Sequence, residues 1–263
     1  MAERLTPFFL MVNCPMSSLD AIRQLLDQYD ALELHHNPVL SQRLKSIQHW
    51  QTQRMLHIHA NLFAIPKHQP LANYFITRLY GSSDINLLAQ QCQQALRVVK
   101  RYDGLIGERT LKIAFQALEL SLLSITLDLT LARLLTDDLP SNPHDPAQQD
   151  QHIIQLYHRA DQAHERRRLL GLLDNLGFNI DRYIHSPLVR NLFKSSKALS
   201  TRNGLLTGYT FLEEGFDAMA PLESITPFIS SFTQAERALI ERIYAGTPHP
   251  LGRKPAAARE GVV

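Results

Sequence analysis

Cysteine is nearly missing: Cys14 and Cys92 are the only two in 263 residues, too few for a disulfide framework or a four-ligand zinc site, and in keeping with a reducing cytoplasm. Charge of one sign is missing as well. Lys and Arg number 27 against 25 Asp and Glu, a net +2, which raises no field strong enough to announce nucleic acid or an anionic membrane. Glycine is scarce at 11 residues, and neither a phosphate-cradling glycine loop nor a G-x-S-x-G elbow occurs. Gly104-Leu-Ile-Gly107 lacks the lysine such a loop requires and reads as a turn. Of the 12 histidines none lies three or four residues from another, which removes the H-E-x-x-H metal grip. His57 and His59 lie about 200° apart on a helix and cannot hold one ion. Glu33-x-x-His36 and the imperfect Asp161-x-x-His164 are fragments of a di-iron bundle signature, which needs two such pairs and two more glutamates. The expectation is no cofactor and no metal, and the balance is against an enzyme.

What is present is apolar content, 44% of the chain against 20% charged, recurring at three- and four-residue spacing and never in sustained alternation. That pattern predicts an all-α, multi-helix bundle of about nine or ten helices without a sheet. Residues 1–16 are expected to be a poorly ordered extension: the apolar run to Val12 is broken by Pro7 and lacks a small-x-small cleavage site, and Met11 or Met16 would serve as the start. A helix is then expected from Leu19 to His36. Asn37-Pro38 caps and opens a second helix to about Phe63, Leu71–Tyr80 forms a third ending at Gly81, and Asp84 caps a fourth. The Pro-rich stretch at 137–149 is an internal linker within one helical domain, 17–245. Beyond it, helices are expected at about 147–177, 181–185, from Pro187 with Ser186 as cap, 205–219, and from Pro227 to Tyr244, the last with a capping-box pattern Thr233-x-x-Glu236. The tail, 246–263, is expected to be disordered.

The most apolar segment is Leu111–Leu135. Its Gln116, Glu119, Asp128 and Arg133 make a bilayer span costly, at about 2.5–3.5 kcal/mol per central charge. On a helical wheel Leu111, Phe115, Leu118, Leu122, Ile125 and Leu129 form one apolar side, with Ile113, Leu120, Leu123, Leu127, Leu131 and Leu134 opposite. A helix at about 108–136 packed from both sides should be the centre of the bundle. Glu119 and Asp128 then point about 180° apart.

Two basic spots, Glu165-Arg-Arg-Arg168 and Arg253-Lys254, lack interleaved aromatics. Leu172–Ile180 has only a faint helix-turn-helix character, so nucleic-acid binding is not expected. The second helix carries the most informative stripe: Arg43, Trp50, Arg54, His57 and Asn61. The single tryptophan with an arginine four residues on can form a cation–π pair beside a ligand pocket. The plainer reading has Trp50 anchoring the core while Arg54 pairs with a buried acid such as Glu119.

Trp50-Gln51-x-x-Arg54 followed by Leu71-Ala-Asn-Tyr-Phe-Ile-Thr-Arg-Leu-Tyr-Gly81-x-x-Asp84 resembles the bacterial FFLEELY-motif protein family. The resemblance continues through Ala117-Leu-Glu119, Leu127-Asp128, Ser186-Pro-Leu-Val189, Phe211-Leu-Glu-Glu-Gly-Phe216 and Leu239–Gly246. Tyr74 stands for the first Phe of the name-giving segment and Thr77-Arg78 for its acidic pair, so no acid there can act. The resemblance implies an all-helical domain and supplies no reaction. Trp50, Arg54, His57, Tyr80, Glu119 and Asp128 are therefore the candidate ligand or structural polar network. The leading expectation is a non-catalytic interaction or regulatory protein of the bacterial cytoplasm, with a protein partner or a second copy and no membrane or nucleic acid. The alternative is a small-ligand binder or enzyme whose pocket, between the second and central helices, holds Trp50, Arg54, His57 and Glu119.

Overall fold

Side-chain caps set where several helices begin. In the computed structural model, which describes residues 17–80, 85–101, 107–137, 139 and 145–254, the Ser17 side chain accepts from the Asp20 backbone N–H and opens α1 (Ser18–Asp30). Asn37 accepts from the Leu40 N–H and opens α2 (Pro38–Ile58), with Pro38 where its missing N–H costs nothing. Asp145 caps α7 (Pro146–Ala160) and Ser186 caps α9 (Pro187–Ser195) in the same way. The remaining helices are α3 (Ala60–Phe63), α4 (Gln69–Tyr74), α5 (Ile85–Arg101), α6 (Glu108–Leu134), α8 (Ala163–Ile184), α10 (Lys197–Arg202), α11 (Leu206–Met219) and α12 (Thr226–Tyr244). A 3₁₀ turn at Glu33–His35 follows α1, and a π-helical turn at Phe75–Leu79 continues α4. The fold is an all-α multi-helix bundle, with no strand among the described residues.

Where the helices differ from expectation, the causes are local. The long helix expected at 147–177 is broken at Asp161, whose left-handed backbone (φ 48°) closes α7 with its N–H on the Tyr157 carbonyl. The chain turns there, and α8 runs on unbroken to Ile184, so Leu172–Ile180 lies inside one helix and is no helix-turn-helix. The expected first helix stops at Asp30, short of His36. Thr233 and Glu236, expected as a capping box, sit in the middle of α12 and are both buried. The tail expected to be disordered from Gly246 is packed as far as the description reaches: Leu251 is 4% exposed, and Arg253 reaches Asp150. The expectations for residues 1–16, Gly81, Asp84, Gly104, most of the linker and 255–263 lie outside the described residues.

Helix α6 touches α1, α2, α7 and α8, as a helix apolar on two sides should. Its buried residues nevertheless all fall in the second half, from Ile125 to Ala132, while Leu111 to Ser124 are half-buried or more open. It is long and apolar enough to cross a bilayer by length and composition, yet it buries the carboxylate of Asp128 among its neighbours. The main core joins α1, α2, α6, α7 and α12 through residues such as Leu26, Ile47, Trp50, Leu129, Ile153 and Ile243. A smaller core links α4, the end of α8 and the start of α12 through Leu71, Ile184 and Phe228. Phe232 connects this region to the end of α2, stacking on His59 with centroids 4.2 Å apart.

Helix α8 contains two interior glycines with opposite surroundings. A methyl added at Gly171 meets nothing within 4 Å, whereas one at Gly177 comes within 3.0 Å of Ile229 Cγ1. Ile229 is β-branched and held to one favoured rotamer in a helix, so it gives way poorly. Gly171→Ala is expected to raise stability by about 0.5–1 kcal/mol through helix propensity. Gly177→Ala is expected to lower it by about 1 kcal/mol, overpacking exceeding that gain. Urea unfolding of the two variants beside the parent checks the difference in sign.

Candidate functional site

Residues 50, 51 and 54 share the inner face of α2, and each reaches a different helix. The Trp50 indole N–H donates to Asp150 Oδ1 of α7 at 2.9 Å. The Gln51 amide nitrogen donates to Asp128 Oδ1 of α6 at 3.1 Å and to the Tyr157 hydroxyl of α7 at 2.7 Å, and its oxygen accepts from Arg54 Nε at 2.8 Å. Arg54 Nη1 then donates to Glu236 Oε1 of α12 at 2.8 Å, and His59 Nε2 lies 2.7 Å from the same oxygen. Trp50, Gln51, Arg54, His59, Asp128, Asp150 and Glu236 are all less than a tenth exposed. A buried amide with its donors and acceptor used joins three helices, and Arg54 extends the tie to a fourth, α12.

Tyr80 follows directly on the π-helical turn, where the backbone becomes extended, and its hydroxyl donates to the second oxygen of Asp128. The Tyr157 ring is the hub of the other side: Trp50 meets it edge to face at 6.2 Å, and the Arg166 guanidinium of α8 lies over it at 4.0 Å. Asp128 is raised above the usual carboxylate range by burial, against the pull of Arg166 and the hydrogen bonds from Tyr80 and Gln51. For Glu236 burial acts upward too, but the Arg54 charge and the hydrogen bonds from His59 and Arg54 outweigh it and hold the group at about 2. Arg54 resists the downward push of burial and is raised by Glu236.

Four of the six residues singled out from sequence, Trp50, Arg54, Tyr80 and Asp128, come together in this network. His57 is exposed and reaches only the Leu251 carbonyl at 3.2 Å. Glu119 is not the partner of Arg54. It lies on the outer part of α6 and pairs with Arg168 at 2.6 Å, because position 119 is half a turn from position 128. Arg54 does not stack on Trp50; the cation over a ring in this region is Arg166 on Tyr157. Gln51, His59, Asp150, Tyr157, Arg166 and Glu236 were missed. Only Glu236 left a clear signal, as a lone acid in the apolar stripe Phe228, Phe232, Leu239, Ile243 of α12. Among the described residues no group of three or more His, Cys, Asp or Glu is placed to share a metal ion.

Two open clefts lie away from the network. One of about 510 Å³ is lined by His185, Arg190, Lys194 and Glu223, and one of about 490 Å³ by Arg109, Lys112 and Arg182. Beside the first, Leu188 and Leu192 stand 68% and 63% exposed on α9, a helix that buries no residue. Leu199, Leu206 and Leu212 of α10 and α11 are also exposed. Phe193, on the opposite edge of α9, stacks on Tyr209 of α11 at 4.4 Å and fixes the orientation that turns the leucines outward.

The model of a family described as a domain of unknown function (DUF8198) matches residues 31–250. Neither a curated protein nor a solved structure matches the chain.

Removing one member of a buried ion pair strands the other and typically costs about 3–5 kcal/mol. Glu236→Gln should therefore destabilise by about that much, whereas the double variant Arg54→Met with Glu236→Leu should recover most of the loss; urea midpoints of the single and double variants measure it. The pH dependence has a defined sign. Glu236 falls from its ordinary 4.5 to about 2 on folding, so its contribution is complete above pH 4.5 and is lost as pH falls toward 2, at most about 3 kcal/mol. Asp128, raised on folding, acts in the opposite direction. A plot of stability against pH should thus drop through this window in the parent and flatten in Glu236→Gln.

Proposed function

We propose that the chain, which belongs to the DUF8198 family of domains of unknown function, is a non-catalytic interaction module that docks an acidic amphipathic segment of a protein partner on its α9–α11 face. The observation that carries this reading is the exposed pair Leu188 and Leu192, one turn apart on a helix with no buried residue. Charge then selects the partner. On α9 itself the charged residues are Arg190 and Lys194, whereas α11 carries Glu213, Glu214 and Asp217, Glu213 pairing with Lys197, so it is the α9 edge with its exposed leucines that favours an acidic partner segment. Arg190 and Lys194 outnumber Glu223, the one acid lining the 510 Å³ cleft, a seat for an acidic side chain flanking apolar anchors.

The alternative pocket between α2 and α6 finds less support, since Arg54 is held by Glu236 in the closed core while Glu119 faces Arg168 outside it. The likeness to the FFLEELY-motif proteins and a bacterial cytoplasmic setting belong to the same proposal. The test is a photo-crosslinking residue placed at Leu192 or, as control, at Glu165 on the exposed surface of α8. A partner crosslinked at Leu192 only, through an acidic amphipathic segment, and lost in Arg190→Glu/Lys194→Glu with unchanged circular dichroism, is the expected result. No crosslink at Leu192, or sedimentation with anionic vesicles that depends on Leu188 and Leu192, would overturn the reading.

A further inference from the structure

Cations gather in space where the sequence scatters them. Arg109 and Lys112 of α6 and Arg182 of α8 line one cleft of about 490 Å³, whose third wall is the start of α1. The spacing of three puts Arg109 and Lys112 on one helix face, and Asn179, three residues before Arg182, borders the same space. Two hydrogen bonds between α6 and α8 fix the walls. The Thr110 and Tyr183 hydroxyls meet, and the Asn179 amide nitrogen donates to Gln116 Oε1 at 2.9 Å. The cleft is therefore formed before a ligand arrives, as small-molecule sites usually are.

These three cations differ from the solvated charges around them. Arg23 on α1 pairs with Asp20, and Arg168 on α8 pairs with Glu119. Among the described residues Arg109, Lys112 and Arg182 have no ion pair, and the one acid on the wall, Glu108, is within ion-pair distance of none of them. Arg182 leans instead over the exposed Phe178 ring at 5.8 Å. Arg109 also stands in the first turn of α6, where the helix dipole disfavours a cation. A cleft lined mainly by one sign of charge focuses the field and concentrates counter-ions, so an anion between these side chains removes both the repulsion and the conflict with the dipole. Because the flanking cations on α1 and α8 are paired, the positive field ends with the cleft and forms no track for a nucleic-acid backbone or a membrane.

We propose that this cleft binds a small phosphorylated molecule. Two guanidiniums and an ammonium supply donors for the three terminal oxygens of a phosphate monoester dianion. The volume lies in the range that holds a small organic molecule, and Ile113 and Phe115 give the organic part an apolar wall beside the cations. The site shares no lining residue with the cleft under α9 and is independent of the docking face there.

Calorimetric titration of the full chain with phenyl phosphate, inorganic phosphate and phenol, at fixed ionic strength and a pH above the second phosphate ionisation, tests the site. The expected result is saturable binding of phenyl phosphate, binding of inorganic phosphate at least about fivefold weaker for want of the buried ring, and none of phenol. Lys112→Gln and Arg182→Gln, both at exposed positions, should each weaken phenyl phosphate by about tenfold, the equivalent of one charge-assisted hydrogen bond. Arg23→Gln, which removes a paired cation on α1, should leave it unchanged. Arg109→Gln should weaken binding as much as the other two without lowering the thermal midpoint of the ligand-free protein, a combination that a purely structural arginine would not give. No saturable binding of phenyl phosphate, equal affinity for inorganic phosphate, an equal loss in Arg23→Gln, or tighter binding of an oligothymidine or of phosphatidylglycerol vesicles through the same cations would overturn the proposal.

Discussion

A guanidinium and a carboxylate 2.8 Å apart, each about nine-tenths buried, bind α2 to α12 across the core. Neither charge can be left alone there without a penalty of several kcal/mol, so the two helices have one acceptable placement. Apolar side chains would tolerate a slip along the helix axis; the Arg54–Glu236 pair does not. Gln51 extends this constraint, because the oxygen that orients Arg54 belongs to the amide that holds Asp128 and Tyr157. Through two positions of one helix face, 51 and 54, α6, α7 and α12 are placed relative to α2. Trp50, tied to Asp150, repeats the lock on α7.

The polar core and the leucine-bearing layer divide the molecule into parts of different character. Around α2, α6, α7 and α12, ionised and polar groups mostly meet one another, as buried charge requires. Helices α9 and α10 bury no residue and show leucines beside basic side chains. The first part is held by paired polar groups, and the second leaves leucines and cations at the surface. The consecutive arginines Arg166, Arg167 and Arg168 illustrate how helical geometry separates roles: at 100° per residue one enters the core over Tyr157, one pairs with Glu241 on α12 and one with Glu119 on α6. A basic cluster in sequence is therefore no basic patch in space.

Much of the architecture was legible because it follows from local rules. Asn37 before Pro38 and Ser186 before Pro187 cap their helices as the chemistry of those dipeptides demands. The two-sided apolar wheel of α6 indicated a helix touched on several sides. Breaks were less legible: Asp161 carries no glycine or proline signal, and only its left-handed backbone, with the packing of α8 on α12, reveals the turn. Thr233 and Glu236 show the opposite failure, since their spacing satisfies a capping rule while their burial excludes it.

Sequence alone determined the helical class, several helix starts and the half-turn separation of Glu119 from Asp128, because each depends on residue types and spacing within one segment. Which acid meets Arg54 was decided only by the tertiary structure. Glu236 lies 182 positions away, and no periodicity within either helix encodes that meeting. The same holds for Arg166, read in sequence only as part of a basic spot and found to be buried. The angle at which α8 packs against its neighbours selects which of three adjacent arginines turns inward, and that angle is a property of the assembled bundle.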